Sequence, residues 1–201
     1  ALNVLLSKYA NQEDIIIGTS SAGRHHADLE NVIGMFVNTL PMRNKPEGDK
    51  SFEEFLKTVR ENSIKAFENQ EYQFDELVNR LGLYRNVGRN PLFDVMFTMQ
   101  NIDAPKFELK DLEFIPIDFE NNTSMFDITL QAFETDSRIS FNMQYCTDIF
   151  KRETAERMTR DFIKILNTVV CRTDILLKDI ELEIKFKEIK NVIEEDLDFS
   201  F

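Results

Sequence analysis

Cysteine is scarce in this chain, and what there is does not build a site. Cys146 and Cys171 stand alone, without zinc or redox spacing. Two buried, reduced thiols in a cytoplasmic protein are the expectation. Basic charge is also short: 24 Lys and Arg face 36 Asp and Glu, for a net −12. No basic patch is available to meet phosphates, which argues against a nucleic-acid partner. No apolar run approaches the roughly 20 residues that span a bilayer, so no membrane partner is expected. The opening ALNVLLSKYANQ has no basic region before its apolar residues, and no signal peptide is expected from it. The small-residue loop Gly18–Arg24 carries neither Gly-x-x-x-x-Gly-Lys-Ser/Thr nor Gly-x-Gly-x-x-Gly, so it is not read as a phosphate cradle. Internal repeats and low-complexity stretches are missing too.

What is present suffices for a core. Hydrophobic residues make up 42% of the 201, and 18 of them are Phe. That composition belongs to a globular chain of one large domain or two small ones. Leu2, Leu5, Leu6 and Tyr9 fall at helical spacing with no capping residue before them, as at the start of a cut fragment. Ile15-Ile16-Ile17 reads as a strand buried on both faces. Ser51-x-x-Glu54 is a capping box ahead of a helix whose apolar stripe is Phe52, Phe55, Leu56, Val59, Ala66 and Phe67. Phe74 opens a short helix with Leu77, Val78 and Leu81, stopped at Gly82. Residues 92–100 read as a strand with Phe93, Val95, Phe97 and Met99 on one face. Two alternating runs, Phe126–Ala132 and Ile139–Tyr145, read as a hairpin with a dry face and a wet one. A long helix follows over 151–170, with Ala155, Met158, Phe162, Ile165, Leu166 and Val169 buried.

The stretch around which the chain is organised is Ile33-Gly34-Met35-Phe36-Val37-Asn38-Thr39-Leu40-Pro41-Met42-Arg43. Phe36, Val37 and Thr39 favour a pleated backbone. Pro41 cannot donate to a ladder and marks a strand end, an edge or a bulge. Asn38 is polar amid apolar neighbours. It is either a satisfied structural asparagine or a polar group directed into a substrate channel.

IGMFVNTLPMR resembles the fifth core motif of the condensation domains of nonribosomal peptide synthetases. Asn69-Gln70-Glu71-Tyr72-Gln73-Phe74-Asp75 resembles the sixth motif, with Gln73 standing where that motif has proline. Arg85-Asn86-Val87-Gly88-Arg89-Asn90-Pro91-Leu92 resembles the seventh, with Asn86 for Asp and Gly88 for Ser. An asparagine cannot carry the charge with which an aspartate would pair. His25 and His26 imitate the family's catalytic His-His-x-x-x-Asp-Gly, but Glu30 and Asn31 close the pattern wrongly. The pair also precedes the fifth motif, where the catalytic motif is the third. Adjacent histidines on an extended segment diverge and lack a third ligand, so neither catalysis nor metal binding is assigned to them.

The resemblance implies the C-terminal half of a condensation domain over residues 1–180, with 181–201 as a linker towards a following adenylation domain. It implies an α/β fold of the chloramphenicol acetyltransferase type, a mixed sheet flanked by helices. A latch-like segment would lie within 101–124. The implied reaction is peptide-bond formation between thioesters held on peptidyl carrier proteins, whose 4'-phosphopantetheine arms are presented to the domain; no cofactor is bound directly. The implied partners are the N-terminal half, those carrier proteins and the adenylation domain. By the motifs, Asn38, Arg85, Arg89 and Asn90 line one wall of the substrate tunnel. Arg85 and Arg89 are either anchors of their loop or positive charge for the arm or an acidic carrier. Another acyltransferase-superfamily domain and a non-catalytic carrier-docking module stand as alternatives. The fragment is expected to be inactive alone.

Overall fold

A computed structural model describes residues 1–24, 26–83, 88–100, 123–135 and 138–183. The strands β1 (Ile15–Ser21), β2 (Asn38–Asn44), β3 (Val95–Gln100), β4 (Ile128–Thr135) and β5 (Arg138–Tyr145) form one sheet in the order β2-β1-β3-β4-β5. β3 lies parallel to both β1 and β4, whereas β4 and β5 run antiparallel as a hairpin. The helices are α1 (Leu2–Ala10), α2 (Phe52–Glu68), α3 (Phe74–Arg80) and α4 (Arg152–Cys171). Parallel neighbours need crossover connections, and α2 and α3 lie in the one between β1 and β3.

The chain divides into two compact units. The first gathers Ala1–Ile15, Arg43–Ser63 and the chain from Arg152 onward. In it α1 packs on α4, burying Leu2, Val4 and Leu5 together with Ala155, Met158, Phe162, Ile165 and Val169. The capping box forms as read. Ser51 N and Oγ both donate to Glu54 Oε2, at 2.9 and 2.8 Å, and Glu54 N returns a bond to Ser51 Oγ. The segment after α4 runs back along the start of α2, with Phe52 N on Ile175 O and Leu177 N on Lys50 O, both 2.9 Å.

The second unit comprises Ile16–Met42 and Ile64–Lys151 and holds most of the sheet. Its core is Ile17, Leu40, Val78, Phe93, Ile128, Leu130 and Ala132. Phe93 stacks edge-on to Phe74 (5.7 Å between centroids) and tilted against Phe126 (5.6 Å).

Several expectations move. β1 continues through Gly18 to Ser21, because Gly18 and Thr19 pair with Met96 and Phe97 of β3 rather than looping away. Of the three places Pro41 could mark, the structure gives the edge: it sits inside β2. β2 is an edge strand, so the missing N–H can face outward. Phe36 and Val37 precede the strand. β3 starts at Val95, three residues later than the pattern suggested, because Asn90 caps the preceding turn. The β4–β5 ladder reaches Thr135 and Arg138, beyond the expected ends. On α2 the inward face runs Phe52, Phe55, Val59 and Asn62. Leu56 and Phe67, placed on the buried stripe from the sequence, are exposed; Asn62 takes the inward position by bonding Asn44 Oδ1 at 3.0 Å. On β5 the expected dry face is thin, and Ile139 is exposed at the sheet edge. Cys171 is exposed and Cys146 half-buried, against the expectation of two buried thiols; both are free. Of the latch region expected over 101–124, residues 101–122 lie outside the described residues, as does all of the expected linker 181–201 beyond 183.

Candidate functional site

Asn38 opens β2 and is buried. Its amide nitrogen donates to Gln70 O at 2.7 Å and to Tyr72 O at 2.9 Å. Its Oδ1 accepts from Thr39 N at 2.9 Å and from Phe74 N at 3.3 Å. Both donors and the carbonyl oxygen are therefore used by main chain. The asparagine ties the start of β2 to the turn at 70–74 and bonds the first amide of α3. Ser21, at the end of β1, donates its hydroxyl to Gln70 Oε1. Two sheet strands thus hold the same turn from two sides. Beneath it lies a cleft of about 410 Å³ lined by Gly23, Leu29, Phe36, Asn38, Gln70 and Gln73, among others.

The rim of that cleft is built on Arg24. Its guanidinium donates to Leu29 O, to Val32 O at 2.8 Å and to Gly34 O at 3.4 Å. The same group lies 4.6 Å over the centre of the Phe36 ring, a cation–π contact. One side chain thereby ties together three carbonyls of the loop 29–34. Gly23 must be glycine: its φ is +65°, and a Cβ would fall 1.9 Å from Phe36 O. Ile33, Met35 and Val37 stand out into solvent on this loop. His26 is not part of the cleft lining. Its Nδ1 accepts from Asp28 N at 3.3 Å and caps the short 3-10 turn Ala27–Leu29, and its side chain is exposed. His25 lies outside the described residues.

Arg89 and Asn90 work on the other side of the aromatic trio. Asn90 Oδ1 accepts from Leu92 N at 3.1 Å and Phe93 N at 3.3 Å, an Asx-type turn. Arg89 grips Asp94 in a fork, Nε to Oδ1 at 3.2 Å and Nη2 to Oδ2 at 2.7 Å, and lies 3.7 Å from Asp127. Asp94 precedes β3 and Asp127 precedes β4, so one guanidinium joins the entries of two parallel strands. Burial, then the neighbouring Asp94 charge, pushes the Asp127 carboxyl up; Arg89 pulls the other way. The Asp94 hydrogen bond in turn raises Arg89. Arg85 lies outside the described residues. Asn38 and Asn90 are linked through the ring stack: Asn38 holds Phe74 N, Phe74 meets Phe93, and Asn90 holds Phe93 N.

Sequence reasoning passed over Arg24, Ser21 and Gln70. Arg24 follows a positive-φ glycine, and Gln70 sits in the motif beside Asn69; those were the available signals. Among the described residues no cluster of His, Cys, Asp and Glu could hold a metal ion, and no helix is long and apolar enough to cross a membrane.

Comparison with known proteins gives one consistent result. A family model described as the condensation domain matches residues 1–188. Bacitracin synthase 3 of Bacillus licheniformis is 52% identical over 181 residues, covering 90% of this chain and 3% of the synthase. Gramicidin S synthase 2 of Brevibacillus brevis is 48% identical over 184 residues, again 90% of this chain and 4% of that protein. The chain thus spans a small fraction of the relatives it matches. Among solved structures, a four-domain nonribosomal peptide synthetase bound to AMP and glycine superposes with a TM-score of 0.82 at 22% identity, covering 93% of this chain and 15% of that one. The X-domain from teicoplanin biosynthesis gives 0.79 at 23% identity, covering 92% and 42%. These likenesses show the fold, which is the mixed α/β fold expected from the motifs.

Proposed function

The chain belongs to the condensation-domain family, and from that we propose that it is the C-terminal half of a domain joining amino acids in nonribosomal peptide synthesis. The observation that carries the proposal is the family match over residues 1–188, in which the three motif stretches follow one another in order. In the proposed reaction the amine of one carrier-bound aminoacyl thioester attacks the carbonyl of the other. A C–N bond forms, the C–S bond breaks, and the upstream carrier's thiol leaves with a proton. Both substrates hang from 4'-phosphopantetheine arms on partner carrier proteins. Rate then comes largely from holding two tethered reactants together, for which oriented intramolecular reactions show effective molarities of about 10⁵–10⁸ M.

On this reading the chain's own contribution is a rigid wall. Asn38 and Ser21 clamp the turn at 70–74, Asn90 and Arg89 set the entry to β3, and Arg24 shapes the cleft rim. In this structure Asn38 spends both ends of its amide, and Asn90 its Oδ1, on main chain, which supports a part in shaping the tunnel rather than in bonding the thioester. Arg89 is half free: its fork holds Asp94, yet it remains exposed enough to meet an acidic carrier. Arg85 belongs to the same wall by its motif. The N-terminal half and the adenylation domain beyond 181–201 complete the module, in a cytoplasmic setting. The chain alone makes no peptide bond, since His26 caps a turn and no His-His-x-x-x-Asp-Gly is present.

The test is a condensation assay read by intact mass. Two loaded carrier proteins are mixed with this chain, and separately with the chain plus its upstream half. Dipeptidyl carrier formed only with both halves supports the proposal. Product from this chain alone would overturn the assignment of chemistry upstream. No product from either mixture would favour a docking module.

A further inference from the structure

One carboxylate in the first unit is used by nothing described so far. Asp161 lies on the inward face of α4 and is 0% exposed. A carboxylate removed from water costs several kcal/mol unless its oxygens are bonded. Both are. Oδ2 accepts from the Tyr9 hydroxyl at 2.7 Å, and Oδ1 accepts from Glu183 N, also at 2.7 Å. Tyr9 belongs to α1, at the beginning of the chain, and Glu183 lies beyond the last buried apolar residue, Ile180. Neighbouring inward positions on α4 carry Met158, Phe162 and Ile165. Arg157, one turn earlier on α4, bonds the same Tyr9 hydroxyl, so the acid sits in a small polar cluster within an otherwise apolar face. What the acid adds is a fixed bond to one main-chain amide. Arg160 reinforces it from outside, with Nε 3.2 Å from Glu183 Oε2.

We propose that Asp161 is a positioning residue that couples helix α1 to the main chain at residues 181–183, after the last buried apolar residue, Ile180. Ile175, Leu177 and Ile180 anchor the chain by burial up to that point. Past it, Glu181 and Glu183 are exposed and the carboxylate sets the direction of the main chain. Because Tyr9 orients the same carboxylate, a change at α1 reaches the Glu183 amide through one side chain. This stands on the first unit alone and does not depend on the reaction proposed above.

Hydrogen exchange read by mass spectrometry on the 201-residue chain tests it. Asp161→Leu removes both acceptors and keeps the apolar packing. The Glu183 amide is expected to exchange at least tenfold faster, with amides of 155–170 unchanged. Asp161→Asn is the conservative rescue. Its carbonyl can still accept from Glu183 N, while the Tyr9 hydroxyl turns to accept from the amide, so protection is expected to return. Tyr9→Phe does not touch Glu183, yet should raise its exchange about threefold; a passive pin would leave it unmoved. Unchanged exchange at Glu183 in Asp161→Leu, or in Tyr9→Phe, overturns the proposal. Should Asp161→Leu unfold, with exchange rising everywhere, Tyr9→Phe decides.

Discussion

Replacing Gly18 by alanine should destabilise the chain, although the ordinary rule has the opposite sign. Alanine in place of glycine inside a strand gains about 0.5–1 kcal/mol, because less backbone entropy is lost on folding. Gly18 lies within β1 beside Met96 of β3. A Cβ there would stand 2.1 Å from Phe93 Cε2, 2.3 Å from Cζ and 2.6 Å from Cδ2, well inside contact distance. The Phe93 ring is 4% exposed and wedged between Phe74 and Phe126. It cannot turn aside without opening the trio, and forced overpacking of this kind costs about 1–3 kcal/mol. The net expectation for Gly18→Ala is a loss of about 1–2 kcal/mol by urea denaturation. The double-mutant cycle gives the sharper test. In a Phe93→Leu background the ring is gone, so the added methyl should turn neutral or stabilising. Additive effects would refute the argument, for they would place the cost in the strand backbone rather than in the ring.

Asn38→Asp sets a carboxylate oxygen where the amide nitrogen meets Gln70 O and Tyr72 O. Leaving those buried groups opposed should cost about 3 kcal/mol or more near neutral pH. The folded state would hold that acid's proton more tightly than the unfolded state. The lost stability should therefore return as pH falls, and a pH-independent loss in urea midpoints would contradict it. The native Asp127 carboxyl is likewise held up in the folded state, so its contribution is present at low pH and lost as pH rises through its folded value. Arg89→Gln removes the opposing cation and should push that carboxyl higher still. Carbon-13 NMR titration of Asp127 reads this, and an unmoved midpoint would mean that the 3.7 Å approach carries no weight.

Legibility in the sequence followed the range of the interaction. The capping box at Ser51 and Glu54, the α4 stripe and the β4 alternation are local, and each could be read from spacing. Errors came where a distant partner decides. Leu56 falls within the apolar period of α2 and is exposed, while Asn62, polar in the sequence, faces inward to bond Asn44. Thr19 looks like loop but pairs with Phe97 of β3, and the strand runs on through Ser20 and Ser21. Asp161 looks like a solvated residue on a helix and is fully buried, because its partners lie at positions 9 and 183. The polar candidates were located through motifs, and the pattern left the Asn38 bonds open. Those bonds go to carbonyls some thirty residues away, which no local period announces.

Gly18 meets Met96 across the parallel pairing of β1 and β3, and that long separation has a cost during synthesis. A ribosome adding about 5–20 residues per second delivers Ile15-Ile16-Ile17 on the order of ten seconds before their neighbour on that side exists. β2 can cover one flank early, and Pro41 in it discourages a stray strand from adding beyond. The other flank must wait, so the nascent chain passes through an interval in which an isoleucine strand has one open edge. Chaperone occupancy of the growing polypeptide should peak in that interval and fall once residue 100 has cleared the exit tunnel.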